Sequence, residues 1–292
     1  MGRLSLVLVC ALAAWSGDLE GVVDVHMHCD PDSMPRSVDA LDTARLARDR
    51  GLRAIILKNH YQPTAQLAYA VEKITPGLRV FGGIALNRAV GGLNSVAVEN
   101  MARTKGAHGR VVWMPTFDAE NQVRKNAESR PFVPVAKEGQ LLPETGAILD
   151  LIGKYNLVLA TGHSSPEEAL LLIRAARARG IRRILVTHAM LAPVSMTVDQ
   201  MREAAREGAS LEFVSNVIVG RGQGDTLKQY AEAIRAVGPP HCILSSDLGQ
   251  PGNPLHADGL AAFIEGLRKD GFSSEELALM TRVNPARLLG LD

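Results

Sequence analysis

The chain has 292 residues, with 32 basic and 31 acidic side chains and 46% apolar residues. That length suits one α/β domain of barrel size, typically about 250 residues. The near-neutral charge gives no electrostatic footing for nucleic acid or an anionic membrane surface, and no stretch reaches the roughly 20 consecutive apolar residues of a membrane span.

The N-terminal segment, residues 1–20, stands apart. Met1-Gly2-Arg3 precedes the apolar run 4–14, and Ala14-Trp15-Ser16 places small residues where a signal peptidase reads. This is the form of a short secretory signal. It equally fits an apolar segment packed on the floor of the domain, or a start codon set too far upstream. A cytoplasmic and a secreted or periplasmic protein both stay open. A single folded domain is expected over 21–292.

From residue 21 onward, strand-like and helix-like segments alternate. Short β-branched and leucine-rich runs at 21–28, 52–58, 78–86, 109–115, 157–162, 183–188, 209–214 and 242–246 read as buried parallel strands. Helical patterns at 38–49, 65–74, 95–105, 144–154, 166–179, 198–207, 227–237 and 257–269 separate and follow them. Strict alternation predicts a parallel sheet with crossover helices, and eight units predict a closed (β/α)8 TIM barrel. No strand is followed by GxGxxG or a Walker loop, so nucleotide folds lose support. The connection 117–143 is polar, charged and punctuated by Pro131, Pro134 and Gly139. Its length after the fourth strand predicts a mobile lid over the barrel mouth.

The chemistry collects where the strands end. His26 and His28 close the first strand, His163 the fifth, His188 the sixth and Asp247 the eighth. In a barrel these ends converge on one mouth. Alternate residues of a strand share a face, so His26 and His28 both point inward. Four imidazoles and a carboxylate make a site for a divalent metal, and zinc suits so nitrogen-rich a set, as one ion or two. Asp247 can bind the metal and also take the proton of the attacking water. Asp24, one strand step below His26, is expected to orient a ligand or to cap a barrel layer.

Lys58 and His60 share a face at the end of the second strand. Both are candidates for substrate contact. Alternatively His60 ligates metal, or Lys58 carries a carbamate that completes a second metal site. Arg36 and Arg88, on the loops after the first and third strands, are candidates for holding an anionic substrate. Glu212 on the seventh strand is a further mouth residue or an ordinary layer residue. The cysteines Cys10, Cys29 and Cys242 show no CxxC spacing, so no disulfide framework is expected.

This arrangement resembles the amidohydrolase superfamily. Its members pair HxH on strand one with His on strands five and six and Asp on strand eight, and the closing run from Asn284 to Leu291 is similar to that superfamily's last helix. Within it the chain resembles a bacterial branch marked by Leu57-Lys58-Asn59-His60-Tyr61, Leu86-Asn87-Arg88-Ala89-Val90-Gly91-Gly92 and Ser245-Ser246-Asp247-Leu248-Gly249-Gln250-Pro251-Gly252-Asn253-Pro254. One departure stands out. The fourth strand ends in Trp113-Met114-Pro115-Thr116, without the bridging lysine or glutamate of binuclear members.

The resemblance implies a metal-dependent hydrolase, acting on a C–N bond (amide or cyclic amide) or a lactone-type ester of a small polar substrate. Three alternatives stay open: a phosphoesterase of the polymerase-and-histidinol-phosphatase type, an amidohydrolase-type decarboxylase, and a non-catalytic metal-binding barrel. The expected partner is a small molecule, and a homo-oligomer is compatible with the sequence.

Overall fold

A computed structural model of the chain describes residues 19–220 and 226–291. The expected N-terminal signal therefore lies almost entirely outside the described residues. Leu19 and Val22 are already part of the buried core.

Eight strands form the main sheet: β1 (Val23–Met27), β2 (Ala54–Leu57), β3 (Arg79–Ala85), β4 (Gly109–Trp113), β5 (Val158–Ala160), β6 (Ile184–Val186), β7 (Ser210–Val214) and β8 (Cys242–Ser245). They neighbour one another in sequence order and pair in parallel. The ring closes just above β8, where Asp247 N donates to His26 O at 2.8 Å and His28 N to Leu248 O at 2.9 Å. This is a (β/α)8 TIM barrel, as the alternation of elements predicts. Helices α1 (Ala40–Asp49), α2 (Ala65–Ile74), α3 (Ser95–Ala102), α4 (Pro143–Lys154), α5 (Pro166–Ala178), α6 (Val198–Arg206), α7 (Leu227–Val237) and α8 (His256–Lys269) supply the outer ring.

Local chemistry explains the helix starts. Ser165, Thr197 and Thr226 each cap a helix in a reciprocal box with Glu168, Gln200 and Gln229. Each box satisfies two otherwise orphaned backbone donors. No helix among the described residues is long and apolar enough to cross a membrane.

The strands are buried on both faces, which is why they read as continuous apolar runs. Val23, Val25, Ile56, Phe81, Trp113 and Ile243 belong to the interior cluster. Leu288 and Leu289 pack against the same cluster from the C-terminal helix Asn284–Leu289. Asn284 anchors that helix through Nδ2 to the carbonyls of Pro239 and Cys242. Cys29 and Cys242 are buried free thiols, so among the described residues no disulfide forms.

One irregularity shapes the site. The pairing of β1 with β2 slips by one residue between Asp24 and Met27. A bulge of this kind breaks the simple alternation of faces. Val23, before the slip, and Val25, within it, pack in the interior, while His26, within it, and His28, beyond it, converge at the mouth.

The segment 117–143 is more ordered than a free lid. It holds a short helix, Glu120–Lys125, and a two-stranded ribbon, Ala136–Lys137 with Gln140–Leu141. Asn121 Nδ2 donates to the carbonyls of His163 and Pro193, and Lys125 Nζ to that of Pro193. These bonds tie its first part to the loops after β5 and β6. The ribbon folds back on α4, where Thr145 Oγ1 donates to Val135 O at 2.7 Å.

Candidate functional site

A cavity of about 230 Å³ opens at the C-terminal mouth of the barrel, and its wall includes His28, Lys58, His60, His163, His188 and Asp247. His26 lies just beneath, fully buried. The structure thus brings together every residue singled out as a metal ligand. Ligand atoms of His26, His28 and Asp247 all lie within 4.8 Å of one another. Asp247 Oδ1 is 3.0 Å from His26 Nε2 and 3.1 Å from His28 Nε2. Across the mouth, the Nε2 atoms of His163 and His188 face each other at 3.1 Å.

The backbone is bent to place these groups. His188 and Asp247 hold positive φ, 27° and 50°, in the region that non-glycine residues rarely enter. Such conformations cost free energy and persist where surrounding structure fixes them. Here Glu212 Oε2 accepts the His188 N–H at 2.8 Å, and Gln250 Nε2 donates to Asp247 O at 2.8 Å. Gly162, before His163, has φ +63°, and a Cβ there would fall 2.2 Å from Met114 O. The close approach of these two strand ends therefore requires glycine.

The carboxylate that orients His26 is Glu212, not Asp24. Asp24 Oδ1 accepts the backbone N–H groups of His26 and Ser246, at 3.1 and 3.0 Å, and does not bond the imidazole. Burial pushes the Asp24 pKa up to about 6. Glu212, fully buried on β7, accepts from His26 Nδ1 at 3.1 Å and from Ser245 Oγ at 2.7 Å. Burial alone would raise its pKa, but His26 and His188 hold it below the usual carboxylate range.

Electrostatics set the protonation states. Burial lowers the pKa of His28 to about 3 and of His188 to about 4, and pulls those of His163 and His60 well below 6.5. These four rings are neutral and keep a nitrogen lone pair. For His26, burial is outweighed by Asp247 and Glu212, and the pKa rises to about 9. Asp247 resists the effect of burial because His26 and His28 face it, and it stays ionised. Neutral imidazoles beside an ionised carboxylate form the donor set a divalent cation takes. His28 Nδ1 and His188 Nδ1 are, in addition, buried without a hydrogen-bond partner.

Lys58 reaches the centre of this group. Its Nζ lies 2.9 Å from His26 Nε2 and 5.6 Å from the centroid of the Trp113 ring. Burial lowers its pKa to about 8. His60 stacks between Phe117, at 3.9 Å, and His28, at 4.9 Å. Arg36 lines the cavity with its side chain 3% exposed, and its Nε donates to Asp32 at 2.7 Å. Arg88 does not line it. Its loop turns away after β3, held where Arg88 N donates to Asp118 at 2.8 Å, and the side chain borders a separate surface hollow with Gly92 and Val133.

Several contributors carry no strong sequence signal. Phe117 and Gln122 come from the loop after β4, with Gln122 bonding His163 Nδ1. His256, on α8, bonds His28 O through Nε2 at 2.7 Å and so supports the first strand's end. A lone histidine or a loop aromatic gives no hint of such placement before the fold is known.

Comparison with solved structures finds the same fold. An organophosphorus hydrolase from Deinococcus radiodurans superposes with a TM-score of 0.63 at 17% identity, covering 94% of each chain. A protein engineered for organophosphate hydrolysis from a weak promiscuous lactonase template matches at TM-score 0.63 and 18% identity, over 95% of this chain and 98% of that one. A mutant PTE-like lactonase from Deinococcus radiodurans gives 0.63 and 17%, with the same coverage. At such identities the likeness is one of fold. No curated protein matches the chain in sequence. Residues 21–212, more than half of the chain, match the model described as "Family of unknown function (DUF6282)", and the chain belongs to that family.

Proposed function

We propose that this protein is a metal-dependent hydrolase of the amidohydrolase type, cleaving an amide, cyclic amide or lactone-type ester in a small polar substrate. The observation that carries the reading is the convergence of His26, His28 and Asp247 within 4.8 Å, in a mouth shared with the facing His163 and His188. These five residues would hold one or two divalent ions, zinc being the natural choice for the donor set. When bound, such an ion lowers the pKa of water to about 7 and polarises a carbonyl.

The chain's own residues supply the rest. Asp247, ionised and at the cavity wall, accepts the proton of the attacking water and returns it to the leaving amine or alcohol. Glu212 fixes the tautomer and angle of His26 and the backbone of His188. Phe117, Leu191 and Pro193 give the cavity an apolar wall that limits water. Arg36 and Lys58 favour a substrate with an anionic group.

The lactonase and organophosphorus hydrolase names of the fold neighbours favour the ester end of this range. The test begins with elemental analysis of the purified protein. A screen of lactones, cyclic amides and amides follows, with and without chelator. Chelator-sensitive turnover, together with an Asp247→Asn variant that keeps metal but loses turnover, supports the reading. A metal-loaded protein whose behaviour Asp247→Asn leaves unchanged is a binding barrel instead.

A further inference from the structure

His60 was open to two roles, metal ligand and substrate contact. The hydrogen-bond network around it decides between them. Asn87 Oδ1 accepts two backbone donors, Thr116 N at 2.9 Å and Asp118 N at 3.1 Å. That fixes the orientation of the Asn87 amide, since its nitrogen could not accept them. Asn87 Nδ2 is therefore the donor to Thr116 Oγ1, at 2.6 Å, and to His60 O, at 2.8 Å.

The Thr116 hydroxyl thus already accepts one bond and has a single proton to give. Thr116 is fully buried, and the other group at its oxygen is His60 Nδ1, at 2.8 Å. A buried hydroxyl proton without an acceptor would cost about 1–3 kcal/mol. Thr116 Oγ1 therefore donates to His60 Nδ1. A neutral imidazole carries one proton, so that proton is on Nε2.

Stacking agrees. The His60 ring lies within 18° of parallel to those of His28 and Phe117. His60 and His28 are stacked with centroids 4.9 Å apart, so their in-plane lone pairs lie in separate layers and are poorly set to share one ion. His60 nonetheless borders the cavity.

Resting on the hydrolase reading, we infer that His60 is a neutral hydrogen-bond donor, not a metal ligand, and that its Nε2–H holds the carbonyl oxygen of the substrate. Asn87 and Thr116 are positioning residues that lock this tautomer. Negative charge gathers on the carbonyl oxygen as water adds, so a preset N–H donor there strengthens toward the transition state. The substrate class that fits is a carbonyl compound whose product is a carboxylate.

The test uses zinc-loaded protein, with acetate as the simplest product carboxylate. Long-range nitrogen-15 spectra of the histidine rings, with His60 assigned by its loss in His60→Asn, are expected to show a protonated Nε2 and an unprotonated Nδ1. Acetate should move the Nε2–H signal. His60→Asn should keep full metal content and weaken acetate about tenfold, the scale of one lost hydrogen bond. His60→Gln, which returns an amide N–H near the Nε2 position, should recover most of that affinity. Thr116→Val should release the tautomer.

A protonated Nδ1, a metal-shifted His60 nitrogen, or loss of a metal equivalent in both His60 variants overturns the inference and leaves the hydrolase reading standing. Unchanged acetate affinity in His60→Asn, or an Nε2–H signal that acetate does not move, overturns the substrate contact. A wild-type protein that takes up no zinc sinks the hydrolase reading instead, and the metal-free spectrum still decides the tautomer.

Discussion

Glu212 Oε1 accepts the Nδ1 proton of His26 at 3.1 Å, while the other oxygen of the same carboxylate takes the backbone N–H of His188 at 2.8 Å. One buried side chain on β7 thus sets both a ring on β1 and the strained turn after β6. With Nδ1 donating to Glu212, the Nε2 of His26 is the nitrogen left for a metal.

Glu212→Gln should therefore weaken metal binding without unfolding the barrel. Glutamine keeps an oxygen for His188 N but loses the charge that makes the His26 ring a better donor. Loss of such a supporting carboxylate typically costs about 10–100-fold in metal affinity. Competition with a chromogenic chelator measures it. Wild-type zinc affinity in a folded Glu212→Gln protein would show that the carboxylate serves only the backbone.

The pH dependence of stability offers a second check. In metal-free protein the pKa of His26 is raised from 6.5 to about 9. Its contribution is fully present below pH 6.5 and is lost as the pH rises through about 9. Lys58 works the other way. Its pKa falls from 10.5 to about 8, so stability is regained as the pH rises from about 8 toward 10.5. His28, His188, His163, His60 and His256 are held neutral by burial, so their gain continues until the unfolded imidazoles have lost their protons, about one pH unit above 6.5. In metal-free protein the His26 loss opposes this gain, so stability should rise less over about pH 6.5 to 8 than those rings alone would give. Zinc-loaded protein, with His26 already neutral, should lack the opposing loss. Thermal melts across that window with and without chelator measure the difference, and parallel profiles would reject the assignment of His26.

Much of this was legible from residue order. Runs such as Ile184-Leu185-Val186 read as strands because both faces are buried, and polar residues at their ends had one place to go. What failed was local. Period two predicted Asp24 beneath His26 on one face, but the slip between Asp24 and Met27 breaks that register, and no sequence signal marked the bulge. Glu212 was visible as a charge between Leu211 and Phe213, yet its three bonds depend on strands far apart in the chain. Arg88 and Arg36 looked alike as loop arginines. The turn after β3 carries one away, while Asp32 holds the other at the cavity.

That difference between the arginines gives the last prediction. The Arg36 side chain is nearly buried, paired with the fully buried Asp32 side chain, and borders the cavity near Lys58. Asp32 neutralises one charge, so the pair alone does not make the mouth cationic. Lys58 and any bound divalent ion would, and Arg36 adds a fixed planar donor where an anionic group would dock. Among active compounds, those with a carboxylate should depend on Arg36 and neutral ones should not. Arg36→Met, similar in length and uncharged, should lower kcat/KM for carboxylate-bearing substrates by about 10–100-fold, the loss of one or two charge-assisted bonds. Neutral lactones or amides should change by less than about threefold, a difference near 0.6 kcal/mol. Metal content should stay at the wild-type level, because the hydrogen bond and ion pair of Arg36 go to Asp32 and not to a candidate ligand. The readout is the ratio of kcat/KM between a charged substrate and its neutral isostere, which cancels any general loss of folded protein. Equal losses on both would assign Arg36 to the architecture of the first loop and not to recognition.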